Sequence, residues 1–244
     1  MTTSVASAAR LSVLDGRVRW ASSPPVVLRR TGVRQVHVVA VGGGPLGGDR
    51  LALAIDLGPG ERLTVHSAAA TVVQPGREAG TEASFAVDVR LGAGAEFAWL
   101  PEPTVVCDGA VWAPSVRIEA AAGAVARVVE QVVLGRAGQS GGRCSSSVRA
   151  SVEGRPLLAT TTVLDGADPA LTGIGGTADA RSVGTVVRVG EPGDAEDGGA
   201  DDDVVWAQTP LAGPGSMVSA VGTVRGVARV LAAYGEPDVR VSAG

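Results

Sequence analysis

The sequence of 244 residues contains no lysine and no asparagine, so all 21 of its basic residues are arginines. The missing lysine excludes a Walker A phosphate-binding lysine, a Schiff-base lysine and a lysine general base. The missing asparagine excludes an N-glycosylation acceptor. Aromatic residues make up 3% of the chain, which argues against a carbohydrate-binding module that stacks sugars on aromatic rings.

Cysteines, charge clusters and long apolar runs are equally scarce. Two cysteines, Cys107 and Cys144, do not make a disulfide framework. The net charge of −4 is mild and no basic cluster with interleaved aromatics is present, so we expect no nucleic-acid partner. We read no signal peptide and no stretch of about 18 apolar residues. We therefore expect a cytoplasmic protein with free thiols and no membrane association.

Short strand-like runs separated by turn residues dominate the chain. Most runs are rich in β-branched residues and are bounded by Gly, Pro or Asp. The rhythm lacks helices between strands, which predicts one all-β domain over residues 1–244, built of stacked, solenoid-like or sandwich-like sheets. The runs lie at 26–30, 35–41, 51–57, 62–73, 83–91, 96–101, 104–108, 115–121, 124–135, 145–154, 156–164, 182–190 and 204–211.

Two further patterns refine this architecture. The stretches "LGPGERLTVHS" and "LGAGAEFAWLP" resemble each other, and "AAAGAVARVVEQ" is a looser third copy, at spacings of about 34 and about 30 residues. Such a repeat indicates coils that stack on one another. Near the end of the sequence, apolar residues from Val224 to Tyr234 fall at helical spacing and Gly235 can end the helix. The tail therefore predicts a small C-terminal helical part.

The glycine-rich stretch at Gly42–Gly47 imitates a dinucleotide-binding fingerprint. Gly42, Gly44 and Gly47 fit G-x-G-x-x-G, and one hypothesis is a nucleotide-binding enzyme that uses this loop. That motif requires a helix directly after the loop, because the helix N-terminus holds the pyrophosphate. Residues 51–57 instead alternate with period two, as in a half-buried strand. We therefore favour a turn between two strands.

The segment 191–203 is acidic, rich in glycine and nearly devoid of large apolar residues. A segment of this composition cannot bury a hydrophobic face, so we predict a solvated, disordered loop. A patch that collects cations is the alternative.

Few residues are suited to catalysis or to binding a metal. The two histidines, His37 and His66, lie in strand-like runs with apolar neighbours, which is typical of a structural histidine. A Cys–His nucleophile pair lacks any local signature. A transient metal site could form from His37, His66 and Cys107 if the fold brings them together, and nickel accepts imidazole, thiolate and carboxylate ligands.

Charged residues embedded among apolar ones carry more information. Glu130 follows Val128 and precedes Val132 on one face of its strand-like run, Asp108 follows "TVVC", and Asp49 and Arg50 begin another strand. A charge in such a place must be paired, hydrated or at an interface. The two interpretations are an ion pair with an arginine and the wall of an internal, water-filled passage.

Four motifs in order give the chain a resemblance to a known family. They are "GGPLGGDRL" at 43–51, "EFAWLPEPTVVCDGA" at 96–110, "EQVVLGRAGQSGG" at 130–142 and "PLAGPGSMVSA" at 210–220. In this order and spacing the chain resembles the urease accessory proteins of the UreD family, also called UreH, in their actinobacterial form. The resemblance covers about residues 10–235.

The resemblance implies a function that the composition does not show. It implies a non-enzymatic scaffold that joins UreF and the GTPase UreG on the urease apoprotein and assists nickel delivery to the urease active site. It implies an all-β fold and no tightly bound cofactor, with nickel present transiently. Candidates for partner contact or for a nickel passage are the charged residues of the motifs, namely Asp49, Arg50, Asp108, Glu130 and Arg136.

Overall fold

The computed structural model describes residues 6–191 and 197–235 as an assembly of eighteen strands and two short helices. The first nine strands are β1 (Ala6–Leu14), β2 (Arg17–Ala21), β3 (Val26–Gly32), β4 (Gln35–Ala40), β5 (Arg50–Leu57), β6 (Arg62–Ser67), β7 (Thr71–Val73), β8 (Glu82–Leu91) and β9 (Glu96–Leu100). The next five are β10 (Thr104–Val106), β11 (Val111–Ala120), β12 (Val125–Leu134), β13 (Arg143–Val152) and β14 (Arg155–Asp165). The last elements are α1 (Pro169–Thr172), β15 (Ser182–Val189), β16 (Asp197–Ala200), β17 (Val204–Pro210), β18 (Gly215–Gly222) and α2 (Val224–Gly235).

The strands form two sheets. The first sheet has seven strands in the order β14-β13-β11-β8-β5-β1-β2. The second has eleven, with β16-β17-β18-β15-β12-β9-β6-β4-β3 in one path and β7 and β10 beside it. The prediction of an all-β protein of stacked sheets is confirmed.

The chain alternates between the two sheets, and this alternation makes neighbouring strands parallel. Strands β5, β8 and β11 lie side by side in the first sheet, while β6, β9 and β12 lie side by side in the second. Parallel strands need a long crossover connection, and here each crossover is a strand of the opposite sheet rather than a helix. The resulting coils are those of a β-solenoid.

The quasi-repeats are the turns that carry the chain from the first sheet to the second. Gly60, Gly94 and Gly123 each have φ +66°, a conformation that favours glycine. The turns stack through backbone hydrogen bonds, since Gly60 N donates to the Ala93 carbonyl and Gly94 N to the Ala122 carbonyl. Each repeat thus aligns one coil on the next.

The largest core lies between the sheets and is aliphatic. Leu11, Leu53, Ile55 and Ile118 of the first sheet are fully buried, as is Val65 of the second. Alternating burial along β1, β5 and β8 indicates that one face of each strand points into this core and the other toward solvent.

Helix α2 packs against strands β12, β15 and β18 of the second sheet. Its buried residues Val227, Val230 and Leu231 pack with Val186 and Val218, which confirms the predicted C-terminal helical part. The Gln131 side-chain amide donates to the Ser182 hydroxyl and to the Val224 carbonyl, linking β12 to the start of the helix. None of the helices in the described ranges is both long and apolar enough to cross a membrane.

The prediction of a disordered loop over 191–203 is wrong in its second half. Residues 192–196 lie outside the described residues, but Asp197–Ala200 form β16, which pairs antiparallel with β17. Strand pairing uses backbone groups and does not require apolar side chains. The missing Cβ of Gly199 lets the Trp206 ring lie against β16, and the Tyr234 hydroxyl donates to Asp197 at 2.6 Å.

Candidate functional site

Glu130 lies on β12 with its side chain between the two sheets. Its carboxylate accepts a hydrogen bond of 2.5 Å from the hydroxyl of Ser146, which lies on β13 of the opposite sheet. The two residues border a small cavity that has space for about one water molecule. The Thr162 and Thr185 side chains also line it, so the cavity presents oxygen atoms from both sheets.

The surroundings of Glu130 favour its neutral form. Burial raises the pKa of the Glu130 carboxyl, and the hydrogen bond from Ser146 offsets only part of this effect. Burial also raises the pKa of the neighbouring Cys144 thiol, and the Glu130 carboxylate raises it further. Within the described part of the chain, no arginine forms an ion pair with Glu130. Of the two interpretations from sequence, the arginine pair is therefore wrong for this residue.

The polar partners of Glu130 come from two runs that the sequence reasoning missed. Ser146 belongs to "CSSS" at 144–147 and Thr162 to "TTT" at 160–162, and these runs lie opposite each other on β13 and β14. A signal was present, because three consecutive hydroxyl residues inside a strand place at least one hydroxyl on the buried face. The strand order that brings these two runs close to Glu130 could not be predicted from the sequence.

The two histidines meet on the second sheet. His37 of β4 and His66 of β6 are register partners, and their rings stack with centroids 5.1 Å apart. The Thr31 hydroxyl lies 2.7 Å from His37 Nδ1. Burial lowers the pKa of His66, and His37 lowers it further. These contacts fit the structural role predicted for both histidines.

Cys107 does not join the histidines in a metal-binding cluster. It is buried and follows β10, which pairs with β7 and β12. In residues 6–191 and 197–235, no group of three or more His, Cys, Asp or Glu side chains is placed to hold a metal ion. The structure thus brings together two of the three predicted ligands, His37 and His66, and leaves the third elsewhere.

The glycine-rich stretch is a turn between β4 and β5. Its next element is strand β5, not the helix that a dinucleotide fingerprint requires. Asp49 is buried, and its carboxylate accepts a hydrogen bond of 3.0 Å from Leu46 N, which pins the turn. Arg50 is exposed at the start of β5. The geometry contradicts the nucleotide-binding hypothesis.

Arg136 lies in the connection between β12 and β13, and Asp108 lies in the turn between β10 and β11 that contacts this connection. Asp108 accepts a hydrogen bond of 2.6 Å from Gly141 N. Arg181 donates to the carbonyls of Leu134 and Arg136, so its guanidinium holds the start of the same connection. The Arg136 side chain is exposed. Asp108 is therefore a turn anchor, and Arg136 is available at the surface.

The geometry defines an all-β protein of two stacked sheets with an acidic side chain, that of Glu130, between them. Residues 15–239 match the family described as "UreD urease accessory protein". The chain therefore belongs to the UreD family of urease accessory proteins.

Relatives in actinobacteria support this membership over most of the chain. The urease accessory protein UreD of Parafrankia sp. is 39% identical over 221 residues, covering 81% of this chain and 74% of its own. The UreD protein of Streptomyces coelicolor is 36% identical over 220 residues, covering 86% and 83%. That of Frankia alni is 35% identical over 240 residues, covering 82% and 80%.

Proposed function

We propose that the chain acts as a non-enzymatic scaffold in urease maturation. In this proposal it joins UreF and the GTPase UreG on the urease apoprotein and assists nickel delivery. Family membership supports the accessory role, and the contradicted nucleotide motif agrees with nucleotide chemistry that belongs to a partner. The single observation that carries a role in nickel handling is the Glu130 carboxyl in a small cavity between the sheets whose lining includes hydroxyl residues of both sheets.

The chemistry of the cavity suits a transient cation rather than a tightly held one. One carboxylate with three hydroxyl groups offers hard oxygen atoms but no imidazole or thiolate set. Because the pKa of Glu130 is raised, a cation competes with a proton for the carboxylate up to a higher pH than at an exposed glutamate, which weakens binding and makes it depend on pH. Weak, reversible binding is what a passing ion requires.

The space in the cavity sets a further condition. Room for about one water molecule is too small for a fully hydrated metal ion. We therefore propose that nickel reaches Glu130 only after it exchanges part of its water shell for side-chain oxygens, or when the two sheets separate locally.

We predict that Glu130→Gln lowers nickel transfer without disturbing assembly. Glutamine keeps the size and the acceptor oxygen for Ser146 but cannot supply a charge. The variant should form the complex with UreF and UreG as the wild type does, while urease matured with it holds less nickel. The measurement is nickel content per urease active site after reconstitution, beside size-exclusion analysis of the complex.

A matched control uses Glu119→Gln on β11. Glu119 lies on the exposed face of the first sheet, where Arg90 is 3.5 Å away, so the same chemical change occurs outside the cavity. Its nickel transfer should equal that of the wild type. Wild-type nickel content with Glu130→Gln and normal assembly would remove Glu130 from this role. Failure of the wild-type chain to bind UreF or UreG would overturn the scaffold itself.

A further inference from the structure

Strand β14 is an open edge of the first sheet. It is the outermost strand and pairs only with β13. Across the described ranges, residues 158–164 exchange no backbone hydrogen bonds with any other strand or loop. One side of β14 thus presents a row of unpaired N–H and C=O groups, which is a template for pairing with another strand.

This edge lacks the features that usually prevent such pairing. Edge strands are commonly protected by charges, prolines or bulges. In β14 all three lie near its start, at Arg155, Pro156 and the register shift next to Leu157. The remaining stretch 158–164 carries no charge and no proline, and Val163 is 50% exposed.

The other sheet edges in the described part of the chain do carry protection. Strand β2 has Arg17 and Arg19, and β3 has Arg29 and Arg30. Strand β16 has four residues, which are Asp197, two glycines and an alanine. Strand β7 also lies at an edge, beside β10, but it has only three residues. Among the edges in the described residues, 158–164 is therefore the longest stretch without a charge or a proline.

The sequence of the open edge reads alike in both directions. Residues 158–164 are Leu-Ala-Thr-Thr-Thr-Val-Leu, a palindrome of side-chain classes about Thr161. If two such strands run antiparallel with Thr161 opposite Thr161, leucine meets leucine, alanine meets valine and threonine meets threonine. Like pairs of this kind are favourable across antiparallel strands.

We propose that β14 pairs antiparallel with β14 of a second copy of this chain, with Thr161 on the two-fold axis. A two-fold interface requires that the same patch be complementary to itself, and the palindrome meets this requirement. In this register, each residue meets a residue that lies on the same face of the sheet. The exposed residues Ala159, Thr161 and Val163 meet one another, and Thr160 and Thr162 meet on the inner face.

The first test places a charge on the axis. In Thr161→Lys two ammonium groups would lie opposite each other, and directly opposed like charges disfavour pairing. Sedimentation equilibrium of the full chain should show a dimer for the wild type. The dissociation constant of the dimer should be roughly tenfold higher for the variant than for the wild type. The matched control is Thr209→Lys, at another exposed threonine, on β17, and this variant should remain dimeric. Circular dichroism should show unchanged strand content for both variants.

The second test reads the register. In Thr161→Cys the two introduced side chains would have Cβ atoms about 4.5–5.5 Å apart, close enough for a disulfide after small adjustments. The native Cys107 and Cys144 are buried and do not compete. In Val163→Cys the introduced thiols would lie roughly 13 Å apart, because each faces residue 159 of the second copy. Mild oxidation should therefore cross-link the first variant and leave the second as single chains.

Three results would overturn the proposal. One is a wild-type chain that sediments as a monomer up to high concentration. Another is equal cross-linking of Thr161→Cys and Val163→Cys, which would show random collision instead of a fixed register. The third is a monomer whose binding to a urease component is lost in Thr161→Lys, because the edge would then pair with a different protein.

Discussion

Glu130→Gln should make the folded protein more stable at neutral pH, and the gain should disappear in acid. We expect the free energy of unfolding at pH 7.5 to rise by on the order of 1–3 kcal/mol, the range for a buried polar group, because the hydrogen bond from Ser146 offsets only part of the desolvation. The measurement is denaturant unfolding of wild type and variant at several pH values between 4 and 8. If the denaturant dependence of unfolding is the same for both proteins, the difference between their denaturation midpoints gives the change in the free energy of unfolding.

The sign follows from the direction of the pKa shift. In the unfolded chain the Glu130 carboxyl titrates near its ordinary value of 4.5, whereas burial holds its proton to higher pH in the folded chain. Between pH 4.5 and the higher pKa of the folded state, the folded state therefore binds more protons than the unfolded state. Stability contributed by this group falls as pH rises through that window and stays low above the folded pKa. Glutamine never ionises, so the variant avoids this loss.

The matched control is Glu61→Gln, for which we expect the free energy of unfolding at pH 7.5 to fall. Glu61 is buried near the turn between β1 and β2, where its carboxylate accepts a hydrogen bond of 2.6 Å from Gly16 N and lies 3.9 Å from Arg34. Removing that charge weakens both contacts. If Glu130→Gln instead lowers stability at pH 7.5, its carboxylate is held by a charge partner and the neutral cavity is wrong.

Local patterns in the sequence predicted most strands from β3 to β17, because turn chemistry is local, but they did not predict β1, β2 or β18. The glycines of the repeats mark the turns with positive φ at Gly60, Gly94 and Gly123, so the boundaries of the coils were visible. The C-terminal helix was visible for the same reason, through its apolar spacing and Gly235. The run at 62–73 was read as one strand, but the chain leaves the sheet after Ser67 and re-enters it at Thr71.

The candidate site could be predicted only in part, since its contacts join residues that are distant in sequence. Glu130 stood out as a charge on an apolar face, and the structure does place it between the sheets. Its hydroxyl partners depend on which strands stack, and no local pattern encodes the stacking of β12 on β13 and β14. Strand β16 was missed because backbone pairing to β17, not side-chain composition, holds it.

Gly44→Ala should be among the most damaging single substitutions in the chain. Gly44 has φ +101°, and a Cβ added there would lie 2.0 Å from the Val72 carbonyl oxygen. The contact is with backbone of β7, which cannot swing aside like a flexible side chain. Strain at positive φ and overpacking act together, so we expect the free energy of unfolding to fall by about 2–5 kcal/mol. Thermal and denaturant unfolding both measure the loss.

Gly42→Ala separates the two causes. Gly42 has φ +126°, but no atom lies within 4 Å of the position that its Cβ would take. This variant carries backbone strain without the collision, and we expect a loss of about 1–2 kcal/mol. Equal losses for Gly42→Ala and Gly44→Ala would show that β7 yields to the added methyl group. A larger loss for Gly44→Ala shows that the glycine run serves close packing of the β4–β5 turn on β7, which a phosphate-binding loop would not require.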